Sequence, residues 1–176
     1  MQQFHILDSR NYSGAYGYAV VKAAMMRDEG KTVPEIIAFM QDHFDHAQTY
    51  LSISDLKYAK KSGRVSGAQA FIGDALGLRP IISVIDGEMK TFAKVRGDNK
   101  ALEKLADLFV ENSIDLNYDF VILGGESLEP AKQLAELVFE KTGKRPFDIY
   151  RCGAALSVNS GPTIIGILVR GKKHTK

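Results

Sequence analysis

The 176-residue chain has one cysteine, no tryptophan and almost no net charge. A lone Cys152 can form no disulfide within the chain and cannot build a cysteine-based zinc site. With no base beside it in sequence, it reads as a small core residue. The 23 basic and 21 acidic side chains leave a formal charge of +2, too little for a nucleic-acid footprint. The one basic cluster, Arg170 to Lys176, reads as a chain terminus. No apolar run reaches the roughly 20 residues that a membrane-spanning helix needs. Met1 to Asp8 lacks the charged leader and apolar stretch of a signal peptide. Linkers, repeats and low-complexity segments are also missing. Apolar residues make up 45% and charged residues 25%, the balance of an ordinary globular domain. The expectation is one compact cytoplasmic domain, without a membrane span and without nucleic acid as partner.

Hydrophobic periodicity divides the chain into alternating helices and strands. Phe4 to Leu7 reads as a short buried strand ending in a turn at Asp8-Ser9-Arg10. A helix follows from Gly14 to Arg27. A second begins at Thr32, with Pro34 in its first turn and Glu35 at the capping-box position, and runs to about His46. Thr49 to Ile53 reads as a strand, Ser54 to Arg64 as a polar segment and Ser66 to Leu76 as a helix rich in small residues. Pro80 to Ile85 and Met89 to Val95 flank Asp86-Gly87, the signal for a hairpin with a primed turn. Further helices are expected at Asp98 to Ile114 and Ser127 to Thr142, and strands at Phe120 to Gly125, Phe147 to Tyr150 and Thr163 to Val169. This alternation, with one obligatory antiparallel pair, predicts an α/β domain on a mixed sheet.

Few residues announce chemistry. Asp42-His43-Phe44-Asp45-His46 sets two imidazoles three apart, a metal-capable spacing, but no third ligand is recognisable and a solvated helix face is the plainer reading. Gly124-Gly125-Glu126-Ser127 could cradle an anion at a helix start, yet it lacks the rest of any phosphate-binding motif. Tight strand–helix packing is the expected reason for those glycines. Arg96-Gly97-Asp98 is read as a coincidental tripeptide. The sequence shows no nucleophile elbow, no spaced carboxylate pair, and no cofactor or metal motif. Two places stand out: the basic turn Lys60-Lys61-Ser62-Gly63-Arg64-Val65-Ser66, suited to an anionic oxygen, and the polar loop Asn159-Ser160-Gly161-Pro162 before the last strand.

Taken in order, these places resemble the DegV family. The resemblance is carried by Ile6-Leu7-Asp8-Ser9-Arg10, Ser13-Gly14 with Gly17, Asp55-Leu56-Lys57-Tyr58 and Gly63-Arg64-Val65-Ser66. It continues through Gly73, Leu76-Gly77-Leu78-Arg79-Pro80, Asp86-Gly87, Lys94-Val95-Arg96 and Ser160-Gly161-Pro162. It implies a bacterial protein that binds a long-chain fatty acid, in some members for presentation to a fatty acid kinase. The family has two domains. Residues 1–10 resemble the last strand of the first, and residues 11–176 the whole second domain. That second domain is implied to be a two-layer α/β structure on about six mixed strands, with a hydrophobic tunnel.

By the same resemblance, Arg64 and Arg96 serve the ligand head group and kinase docking. Asn159 stands where most members carry a histidine, and a carboxamide cannot become cationic. Ser62 and Thr163 replace usual glycines. Ser160 and Gly161 complete the head-group loop, and Ala15, Tyr16, Ser52, Phe71, Ile72 and Leu76 are the expected lining residues.

The leading expectation is a non-enzymatic lipid-binding module that presents a fatty acid to a kinase or to a partner chain supplying the first domain. The rival is an interaction or regulatory domain that binds no lipid and self-associates as a homo-oligomer through the former domain interface. An enzyme of phosphorylated or acylated small molecules rests only on kinship of the fold with dihydroxyacetone kinase.

Overall fold

The computed structural model describes residues 4–54, 57–61 and 77–174. Among these the chain runs α1 (Gly14–Asp28), α2 (Val33–His46), β1 (Ala47–Ser52), α3 (Lys57–Lys61), β2 (Leu78–Ile85) and β3 (Glu88–Arg96). It continues with α4 (Asp98–Asn112), β4 (Val121–Gly124), α5 (Glu129–Thr142), β5 (Asp148–Arg151), α6 (Ala154–Ser160) and β6 (Ile165–Arg170). The six strands form one sheet in the order β3-β2-β1-β6-β4-β5. Only the β4–β5 pair is parallel; the other four pairings are antiparallel.

Local chemistry explains the best-defined boundaries. Thr32 accepts from the Glu35 amide while the Glu35 carboxylate accepts from the Thr32 amide at 2.8 Å, a complete capping box on α2. The Asp86-Gly87 turn has φ of 52° and 79°, the primed geometry whose twist suits a two-residue hairpin. Gly143 closes α5 in the left-handed conformation at φ 69°.

Strand alternation sorts the core into two faces. On one, α4 and α5 bury Leu105, Phe109, Leu134 and Val138 against Tyr50, Ile122, Ile165 and Ile167. These two helices form one layer on the mixed sheet, and further helices lie on its other face, so the expected two-layer arrangement gains a partial third layer. On the other face, Ala15 and Tyr18 of α1 pack on Ala47, Val121 and Leu168. Beside them Leu51, Ile82, Val84, Leu123 and Ile164 form a second apolar area, bordered by Leu156 of α6 and Ala59 of α3. Gly124 and Gly125 are packing glycines. A Cβ on Gly124 would lie 2.7 Å from Leu128, and one on Gly125 would run into the Pro162 carbonyl.

Three expectations need correction. Residues 4–10 are not a strand: Phe4 and Ile6 are 81% and 95% exposed, and no strand among the described residues pairs with them. His43 is not on a solvated face but is 2% exposed, since α2 turns that side toward α1. The polar segment after β1 contains the short helix α3, and α6 forms where no element was foreseen. The helix expected over Ser66 to Leu76 lies outside the described residues.

Candidate functional site

Among the described residues the sheet face opposite α4 and α5 is incompletely covered, and the gap is a cleft of about 830 Å³. Its floor comes from β1, β2 and β4 through Leu51, Ile82, Val84 and Leu123. One wall is α1, through Tyr16, Gly17, Val20 and Val21; the other is α6, through Ala155, Leu156, Asn159 and Ser160. The floor is apolar apart from Thr49, and that hydroxyl is already spent on Asn11, donating to its Oδ1 at 3.0 Å. Such a floor favours a hydrocarbon over any ligand that must be hydrogen-bonded along its length.

α1 carries apolar side chains on two sides, which explains how one helix can serve both core and cleft. Ala15, Tyr18 and Ala19 are buried inward, while Tyr16, Val20 and Val21 remain exposed along the wall. A buried polar cluster fixes the helix. The His43 Nε2–H donates to the Ala15 carbonyl at 2.8 Å, and its Nδ1 pairs with the Tyr118 hydroxyl at 2.9 Å. A carbonyl can only accept, so the neutral ring carries its proton on Nε2 and accepts from Tyr118. Burial lowers the His43 pKa below its ordinary 6.5 and pushes the Tyr118 phenol up to about 12. The Tyr18 hydroxyl donates to Asp119 at 3.1 Å, and burial raises its pKa strongly.

A second tie holds the segment entering α1. Arg10 spans Asp45 at the end of α2 and Asp86 in the hairpin turn, both at 2.6 Å. Hydrogen bonds from Gln41, Lys173 and Arg10 hold the Asp45 carboxyl down to about 2.

The expected site residues divide. Tyr16, Asn159 and Ser160 border the cleft. Asn159 spends one amide N–H on the Ala155 carbonyl at 3.0 Å, and Ser160 donates to the Leu156 carbonyl at 3.1 Å. Gly161 stands just behind, its φ of 79° placing it against the Tyr58 ring, where a Cβ would come within 2.7 Å. Ala15 is a correction: it faces the sheet in the core and does not line the cleft. Ser52 is another, for alternation turns Leu51 to the cleft and Ser52 to the opposite face, beside a second cavity. Arg96 ends β3 opposite Leu78 and is exposed, away from the described lining. Arg64, Phe71, Ile72 and Leu76 lie outside the described residues.

Sequence reasoning missed Val20, Val21, Leu51, Ile82, Val84 and Leu123. A strict period of two in β1, β2 and β4 would have found the strand members. It also missed Arg151, which borders the cleft and donates to the Glu126 carbonyl. Among the described residues no group of three or more His, Cys, Asp or Glu side chains could hold a metal ion, and no helix is long and apolar enough to cross a membrane.

A mixed sheet roofed on one face by two helices and carrying an apolar cleft on the other defines the class: an α/β domain with a large hydrophobic cleft. The chain belongs to the DegV family, a family of uncharacterised proteins whose model matches residues 1–172. A DegV domain-containing protein of Clostridium perfringens is 30% identical over 169 residues, covering 96% of this chain and 60% of that protein. A counterpart from Clostridium acetobutylicum is 30% identical over 180 residues, covering 99% and 61%. The chain thus spans about three fifths of the length of these relatives. Among solved structures, a fatty acid binding DegV family protein from Streptococcus agalactiae superposes with a TM-score of 0.81 at 26% identity, over 96% of this chain and 60% of that one. A DegV family protein from Corynebacterium glutamicum gives 0.83 at 28% identity, over 97% and 65%.

Proposed function

We propose that this chain binds a long-chain fatty acid, holding the acyl tail in the cleft between α1, the sheet and α6. The observation that carries this reading is the continuous apolar floor of Leu51, Ile82, Val84 and Leu123 in a space of about 830 Å³. Each methylene moved there from water contributes about 0.8 kcal/mol, so about ten of them outweigh any single head-group contact. The similar protein from Streptococcus agalactiae, described as fatty acid binding, supports the reading.

On this proposal Asn159 and Ser160 mark the carboxylate end, while Arg64 and Arg96 present positive charge to the carboxylate or to a partner. That partner is a fatty acid kinase or a chain supplying the part of the relatives that this one does not span. The chain itself acts as a cytoplasmic carrier, not as an enzyme. Native mass spectrometry of the purified protein with organic extraction is the test. An added mass matching a long-chain fatty acid supports the proposal; an apo protein that takes up no fatty acid, alone or with a first-domain chain, overturns it.

The exposed apolar side of α1 favours a second reading, self-association through Tyr16, Val20 and Val21. An apo mass at a multiple of 19.4 kDa would select it.

A further inference from the structure

Among the described residues, the cleft floor carries one polar side chain, Thr49 of β1. It shares a sheet face with Ala47 and Leu51, opposite Val84 of β2 and Leu168 of β6. Its hydroxyl proton has a fixed direction. Asn11 donates its amide N–H to the Ala47 carbonyl at 3.1 Å, and its Oδ1 accepts from the Tyr12 amide at 2.9 Å. Those two bonds fix which end of the carboxamide is oxygen. That oxygen can only accept, so at 3.0 Å it takes the Thr49 proton. The Thr49 Oγ1 keeps its own lone pairs, and no described residue donates to them.

An acceptor without a donor, set in an apolar floor, states what complements it. A plain acyl chain has no proton to give, and a carbonyl or carboxylate oxygen brings only lone pairs; an alcohol brings a donor. Ser13 also borders the cleft, two residues beyond the Asn11 that Thr49 binds. It stands at the N-cap position of α1 with φ 49° and ψ −125°, yet its side chain does not cap the helix. The sheet register gives the depth of Thr49. Ser52 pairs with Ile165, so Ile53 lies toward Ile164 and the loop that carries Asn159 and Ser160. From Ile53 back to Thr49 is four residues, about 13 Å at ~3.3 Å each. An extended hydrocarbon rising ~1.3 Å per carbon covers that in about ten carbons.

We propose that the cleft selects a long-chain fatty acid with a hydroxyl in the middle of its chain, which donates to the Thr49 Oγ1 and accepts from Ser13. Thr49 is then the residue that determines specificity. This rests on the fatty-acid reading of the same cleft and narrows its ligand class.

The test is calorimetric titration of the delipidated 176-residue chain, and of Thr49→Val and Thr49→Ser, with three probes. These are stearic acid, stearic acid hydroxylated at its tenth or twelfth carbon, and stearic acid hydroxylated at its second carbon. Thr49→Val keeps the branched shape but removes the acceptor. It should lower the affinity ratio of mid-chain hydroxy acid to plain acid about tenfold, the loss of one hydrogen bond. Thr49→Ser should preserve the ratio, and the second-carbon acid should show no change in either variant. In the unmodified chain, the amide NMR shifts of Thr49 and Asn11 should differ between the plain and mid-chain hydroxy complexes more than that of Leu123. That readout stands whether or not Thr49→Val folds. Equal ratios in the unmodified and Val proteins, an equal fall for the second-carbon acid, or no shift difference at Thr49 overturns the proposal while plain stearic acid still binds. A chain that takes up none of the acids, alone or with a first-domain chain, overturns the fatty-acid reading and this proposal with it.

Discussion

The His43 imidazole donates to the carbonyl of Ala15 across 2.8 Å, so a buried side chain of α2 fixes the first turn of α1. The next residue, Tyr16, borders the cleft. The position of the cleft wall is therefore set by a titratable group that is kept neutral.

His43 makes stability depend on pH with a definite sign. Its folded pKa lies below 6.5 because burial penalises the imidazolium, so the unfolded chain binds the extra proton first. The contribution is complete above about 6.5 and declines as pH falls toward the folded value. Thermal unfolding should show the midpoint dropping through this range. His43→Gln, which retains a donor for Ala15, should flatten that slope while costing about 1–3 kcal/mol through the lost Tyr118 partner. An unchanged slope would remove His43 as its source.

Asp45 acts lower on the pH scale. Its carboxyl is held to about 2 against an ordinary 3.8, so its stabilisation is present above 3.8 and is lost as pH falls to about 2. Asp45→Asn should lower stability at neutral pH and remove that acid-limb component. Chemical denaturation at a series of acidic pH values measures both effects.

Gly17 separates helix stability from cleft volume. A Cβ there meets nothing within 4 Å, although the position lies in α1 and borders the cleft. Gly17→Ala should stabilise the fold by about 0.5–1 kcal/mol and leave lipid uptake intact. Gly17→Trp should fill the cleft and abolish fatty-acid retention while the protein remains folded by circular dichroism. Undiminished retention in the Trp variant would move the acyl chain elsewhere.

Asn159 tests where the carboxylate lies. Asn159→His restores a group that becomes cationic below about 6.5, so fatty-acid affinity should rise between about pH 8 and about pH 5.5 relative to the unmodified chain. Equal pH dependence in both proteins would place the head group away from α6.

Most of the fold was legible because local chemistry and hydrophobic period agreed. Thr32 with Glu35, Asp86 with Gly87, and Gly143 mark boundaries that need no tertiary information. What failed depended on neighbours. Phe4 and Ile6 have the composition of a strand but, among the described residues, no strand beside them, and His43 looks polar until α1 is laid across it. The site was half legible. Tyr16, Asn159 and Ser160 came from motif order, whereas Ala15 and Ser52 were displaced by one position of helical or strand phase. Helix α6 was missed because its seven residues are too short for a periodic signal.

Leu51 and Ser52 are consecutive, yet one borders the apolar cleft and the other the second cavity on the opposite sheet face. β1 is thus a partition one strand thick between two cavities on opposite faces of the sheet. Losing or gaining a single residue between Ala47 and Ser52 would exchange what β1 turns to each cavity, setting the Ser52 hydroxyl among Ile82, Val84 and Leu123. The length of this strand is consequently under tighter constraint than the identity of most side chains along it.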